Sequence, residues 1–180
     1  MLNAAIKLIA DKGYASLTMQ ALAREVGMKL ASLQYHFRSS DDLIRAVVGY
    51  IAESYHQSFS SIQKNNVTVG LHEVARFILD DEAGKVFSAD KLWPQLWAMQ
   101  QVQPLVSDLI DNIYVRYVET LEEALRATGA FAPRAEALFL MSFLEGATLF
   151  MGDGRGWGKE AKAFRRTVLE FIENKSGVTS

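Results

Sequence analysis

The sequence predicts an all-α chain in which a small helix-turn-helix head is joined by a long helix to a larger helical bundle. Three observations carry that prediction. Apolar residues recur at i, i+3, i+4 and i+7 along much of the chain, no alternating strand-like run stands out among them, and the 180 residues contain only three prolines. With 49% apolar and 11% aromatic residues, the chain has ample material for a packed core.

The elements follow in order. Leu2, Ala5, Ile6 and Ile9 mark a first helix over about residues 2–12, stopped by Lys12-Gly13, a cation near the negative helix end followed by glycine. Thr18 is a suitable N-cap for a second helix, whose Met19, Leu22, Ala23 and Val26 share one face. Gly27 breaks it. A third short helix over about 29–36 directs Leu33 inward and ends at Phe37. Ser39 and Asp42 then form a variant capping box, with the acid at the positive end of the helix dipole. The stripe Leu43, Ile44, Val47, Ile51, Tyr55, Phe59, Ile62 continues to about residue 63, a helix of roughly 35 Å at 1.5 Å per residue.

Beyond the polar break Lys64-Asn65-Asn66, the pattern predicts helices at about 69–80, 88–101, 104–128, 134–151 and 159–174. Pro94, Pro104 and Pro133 are expected near helix starts or breaks. Segment 134–151 is apolar almost all round and therefore needs partners on more than one side. With Phe164, Val168, Phe171 and Ile172 on the last helix it predicts a bundle-type dimer interface. The expected division is residues 1–45 as the head and 46–180 as a ligand-binding and dimerising body.

Composition narrows the function. Without cysteine, disulfides, thiolate zinc sites and cysteine nucleophiles are excluded. The first helix begins without the basic and apolar stretches of an export signal, and the longest apolar run, Ala137 to Met151, is too short to span a bilayer and is interrupted by Glu145. A cytoplasmic location is expected. Net charge is −2, which argues against non-specific nucleic-acid binding by the whole chain. Residues 1–50 nevertheless carry six basic side chains against four acidic ones, so the excess of +2 sits at the head and the remainder sums to −4.

Between Thr18 and Phe37 lie a helix of about eight residues, a glycine turn and a second short helix whose outer side chains are Lys29, Ser32, Gln34, Tyr35 and His36. That is a helix-turn-helix pattern, and its chemistry suits duplex DNA. Hydroxyl, amide and imidazole groups reach base edges in the major groove, while lysine and tyrosine bind phosphates. On spacing alone, an ordinary helical hairpin with a polar outer face fits equally well.

The stretch AAIKLIADKGYASLTMQALAREVGMKLASLQYHFRSSDDLIRAVV resembles the DNA-binding head of the TetR family of bacterial repressors. The resemblance covers about residues 2–50 and rests on Gly13-Tyr14, LAREVG, and His36-Phe37 leading to Ser39 and Leu43. It implies a homodimer on a roughly palindromic site, and an inducer whose binding in the C-terminal domain changes the separation of the two heads. The positions it sets at the duplex are Thr18, Gln20, Lys29, Leu30, Ser32, Gln34, Tyr35, His36 and Ser40. Several depart from the family pattern. Lys29 stands where a serine N-cap is usual, Leu30 and Ser40 replace lysines, Gln34 replaces a phosphate-binding tyrosine with Tyr35 beside it, and a short basic arm often preceding the first helix is missing. Loss of a phosphate-contacting lysine weakens binding across all sequences rather than changing specificity.

For the body, the resemblance implies a small-molecule pocket. Trp93 and Trp97, four apart on one helix face, together with Tyr114, Tyr117, Phe139 and Phe143, are the expected aromatic walls, and Met99 would add to them. Each of these side chains also makes ordinary core. Glu145 meets a polar ligand group, a donor across the dimer seam, or solvent there; near tryptophans, an acid would favour cationic ligands. The homodimer is expected through about 134–151 and 159–174.

Two other classes compete. Glu53-Ser54-Tyr55-His56 supplies one Glu-x-x-His, but a di-iron helical enzyme needs a second copy and two further glutamates. The glycine-rich GDGRGWG at 152–158 follows a helix and lacks the ending of a phosphate loop. No catalytic residue, metal or cofactor is therefore expected. A structural helical dimer without DNA binding is the remaining alternative.

Overall fold

The computed structural model describes residues 1–62, 69–80, 87, 89–151 and 155–175. Among these, every regular element is helical. The helices are α1 (Leu2–Lys12), α2 (Met19–Glu25), α3 (Leu30–His36), α4 (Ser40–Ile62), α5 (Leu71–Asp80), α6 (Ala89–Gln100), α7 (Pro104–Ala127), α8 (Pro133–Met151) and α9 (Ala161–Lys175). Short 3-10 turns occupy Tyr14–Ser16 and Gly158–Glu160. Lys64-Asn65-Asn66 lies outside the described residues, as do 152–154 of the glycine-rich segment.

The helix boundaries follow from local chemistry. Gly13 ends α1 at φ 83° and ψ 157°, with its N–H donating to Ile9 O at 2.9 Å. Only glycine adopts that backbone without strain. The Thr18 side chain accepts from Ala21 N at 3.0 Å and starts α2, while Gly27, at φ 66°, turns the chain toward α3. Ser39 accepts from Asp42 N at 3.0 Å, the first half of the expected capping box. Pro104 and Pro133 open α7 and α8, where a missing N–H costs nothing. Pro94 differs from expectation: it lies inside α6, flanked by the buried Leu92, Trp93 and Leu96.

The chain divides into two compact units. The first comprises Met1–His56 and Ala83–Asn112. In it α1 packs on α2 and on α6, and α2 packs on α3. Ile6, Ile9, Leu22, Leu33, Leu43 and Ile51 are fully buried there, as are Leu92 and Leu96 from α6. An aromatic cluster joins α4 to α6: the Trp93 indole N–H donates to the Tyr55 hydroxyl at 2.9 Å, and Phe87 lies beside Tyr50 and Tyr55.

The second unit comprises Gln57–Glu82 and Ile113–Ser180. Here α5 packs on α8 and α9. Phe59, Phe77 and Tyr117 form a ring cluster with centroids 4.9 to 6.1 Å apart. Two polar clips bind α5 to α9. Arg165 donates to both Asp80 oxygens at 2.8 and 2.9 Å, and His72 meets Glu173 at 3.1 Å. A bidentate guanidinium–carboxylate pair fixes angle as well as distance, which a point contact does not.

The two turn glycines give a direct test. Gly13→Ala places a side chain in a glycine-only backbone region and 3.4 Å from Gln95 Oε1, whereas Gly27→Ala meets no atom within 4 Å and pays only for its left-handed φ. Urea denaturation should show a loss of about 2 to 3 kcal/mol for Gly13→Ala and about 1 kcal/mol for Gly27→Ala. The reverse order would contradict this account of the corner.

Candidate nucleic-acid interface

A helix as short as α3, seven residues, does not stand alone in water, and packing has to hold it. Leu33 supplies that hold: it is fully buried, and α3 packs on α2, whose Leu22 is also fully buried. With one residue directed inward, the rest of the surface is free. Lys29, Ser32, Gln34, Tyr35 and His36 are all exposed, and Leu30 is half-buried. Tyr35 is 87% exposed, so nearly all of its ring is available to a partner. Its ring stands edge-on to His36 with centroids 5.7 Å apart.

The flanking positions are divided between structural and outward-facing roles. Thr18 is exposed but its hydroxyl already caps α2; Gln20, the second residue of α2, is exposed. Ser40, the first residue of α4, is exposed next to the capping Ser39. Lys29 occupies the N-cap of α3 without contributing a side-chain cap bond, as a lysine must, since its ammonium is a donor only. The nine positions therefore lie on three consecutive elements: the start of α2, α3, and the start of α4.

Three further cations were not singled out from the sequence. Arg24, Arg38 and Arg45 are exposed on α2, in the α3–α4 turn and on α4. They were counted in the charge excess of the head but not assigned a role. Asp41 and Asp42, exposed in the first turn of α4, act in the opposite sense toward phosphates. Lys12 reaches Glu25 at 3.8 Å across α1 and α2, an exposed pair of small energetic weight.

The six aromatic side chains expected around a ligand fall in both compact units. Trp93 and Trp97 belong to the first unit, with ring centroids 6.3 Å apart, Trp93 buried and Trp97 half-buried. Tyr114, Tyr117, Phe139 and Phe143 belong to the second. Tyr117 is buried in the ring cluster with Phe59 and Phe77, and Tyr114 is half-buried. Phe139 and Phe143 stack on each other at 6.4 Å and are 61% and 41% exposed. Met99 is buried and Glu145 is half-buried. Among the described residues, no group of three histidine, cysteine or acidic side chains is placed to hold a metal. No helix among them is long and apolar enough to cross a membrane.

Comparison with known proteins agrees with the geometry of the head. Residues 1–47 match the family model described as bacterial regulatory proteins, tetR family. Across the chain, the fold matches a transcriptional regulator of Rhodococcus sp. Rha1 with a TM-score of 0.78 at 14% identity, covering 99% of this chain and 97% of that one. A Saccharomonospora viridis protein solved in complex with choline gives 0.76 at 20% identity, and a TetR transcriptional regulator of Legionella pneumophila gives 0.69 at 23%, each covering 96% of this chain and 93% of its own. Among curated proteins, the nucleoid occlusion factor SlmA of Marinomonas sp. (strain MWYL1) is 24% identical over 158 residues, 81% of this chain and 78% of that protein.

Separation of scaffold from reading surface gives the test. Tyr35→Ala and Lys29→Ala should each weaken duplex binding while changing stability by less than about 0.5 kcal/mol. Lys29→Ala should also lower the salt dependence of binding by about one phosphate contact. Leu33→Ala, in contrast, should cost about 2 to 5 kcal/mol and remove binding together with the fold. Thermal melts beside duplex titrations would distinguish the two patterns.

Proposed function

We propose that the chain, whose residues 1–47 match the tetR family model, is a DNA-binding transcriptional regulator: a cytoplasmic repressor that holds a palindromic operator as a homodimer and is released by a small-molecule inducer. The exposed outer face of α3 supports this reading most directly. Its lysine, hydroxyl, amide, phenol and imidazole groups are exposed and match the donors and acceptors of a major groove. The nine named positions supply the contacts, with Arg24, Arg38 and Arg45 available to phosphates. In this reading residues 1–45 are the head and residues 46–180 the sensing and dimerising body.

The dimer reading is supported by α8 and α9. Leu138, Phe139, Phe143, Leu149 and Phe150 are exposed along α8, and Phe171 is 53% exposed on α9. An apolar set of that size on one unit is the surface a second copy would cover. Two heads related by a two-fold axis would then read half-sites about 34–36 Å apart. For the inducer, the half-buried Trp97 beside Trp93 offers an aromatic wall in the first unit, and Tyr114 one in the second. A related fold solved with choline is consistent with ligand binding in such a body.

Selection of bound duplexes from a random pool should return a palindromic sequence bound by two chains, with affinity falling steeply as salt rises. Recovery of no preferred sequence at low salt would count against the proposal. Phe139→Glu should shift sedimentation from dimer to monomer and lower operator affinity while leaving the helical content intact. A variant that stays dimeric would place the seam elsewhere.

A further inference from the structure

The corner that aims α2 is fastened to α6 by a bond between residues 81 positions apart in the chain: Tyr14 N–H donates to Gln95 Oε1 at 3.2 Å. The corner has little slack. Ser16 Oγ is engaged with Gly13 O at 2.6 Å and Leu8 O at 3.1 Å, and Gly13 lets Gln95 approach because it has no side chain. One turn earlier on α6, Lys91 pairs with Asp11 of α1 at 3.5 Å. At 100° per residue, positions 91 and 95 share a face of α6, and 93 and 97 lie on roughly the opposite one. On that opposite face Trp93 donates to Tyr55 of α4, with Trp97 alongside. Pro94 sits between the two sets and cannot donate to the carbonyl four residues earlier, so the helix lacks one backbone bond at this point.

We propose that Gln95 is a positioning residue through which α6 couples its tryptophan face to the reading head, by holding the Gly13–Tyr14 corner that leads into α2. The proposal rests on the regulator reading above. With the bond closed, the corner and the Thr18 cap, two residues beyond the 3-10 turn, are fixed in the geometry that presents α3. With α6 displaced, a partly buried amide loses its acceptor and that geometry is no longer favoured. Coupling is reciprocal: a duplex that favours the closed corner must also act on the tryptophan face.

The test uses the full chain carrying Trp157→Phe, so that emission comes from Trp93 and Trp97 alone, titrated with the duplex recovered by selection. Binding is followed separately by the anisotropy of labelled duplex. The parent chain and Gln95→Glu, which keeps an acceptor oxygen at the same reach, should show a change in tryptophan emission on binding. Gln95→Met, of similar size without that acceptor, should bind within about tenfold of the parent but lose the emission change. An emission change in Gln95→Met equal to the parent's, or none in the parent despite binding, overturns the proposal and leaves the regulator reading standing. Absence of duplex binding by the parent overturns both. A second arm needs neither DNA nor a Gln95 variant: Trp97→Ala should speed hydrogen exchange of the Tyr14 amide severalfold, and unchanged exchange overturns the coupling.

Discussion

The helix α3 is too short to persist by itself, and its dependence on one buried side chain organises the whole head. Leu33 anchors α3, and α2 carries Leu22 into the same unit. Because the anchoring is done by so few atoms, the remaining side chains of α3 are released from packing and are open to a partner. The same economy explains why the corner before α2 is built so tightly. A short helix held at one point takes its direction from what precedes it, and here Gly13, Ser16, Thr18 and Gln95 each fix one part of the approach.

Much of this was legible in the sequence because the signals are local. Thr18, Ser39, Gly13 and Gly27 lie within a few residues of the groups they satisfy or turn, and helical periodicity set the elements to within a residue or two. Pro94 was misplaced for an equally physical reason. Proline chemistry predicts a helix start or break, and nothing nearby in the sequence reports the burial of Leu92, Trp93 and Leu96 that keeps α6 intact around it. Tertiary packing outweighs a local preference at that point.

Contacts between distant segments were illegible. The Gln95 to Tyr14 bond, the Asp80 to Arg165 pair and the His72 to Glu173 contact join residues on helices far apart in the chain, and a single sequence carries no record of which polar side chains meet. The aromatic residues show the same limit differently. Composition gathers Trp93, Trp97, Tyr114, Tyr117, Phe139 and Phe143 into one class, yet the fold distributes them between two units and leaves the two phenylalanines exposed.

Lys29 has a further consequence. It begins α3 without lending an acceptor to the first turn, where serine or aspartate would have contributed about 1 kcal/mol. The helix α3 is therefore weakest at its leading end, and a ligand that brings oxygen acceptors there completes a turn as it docks. Calorimetry would register this as ordering: a more negative enthalpy, offset by entropy, than rigid docking of the same surface would give.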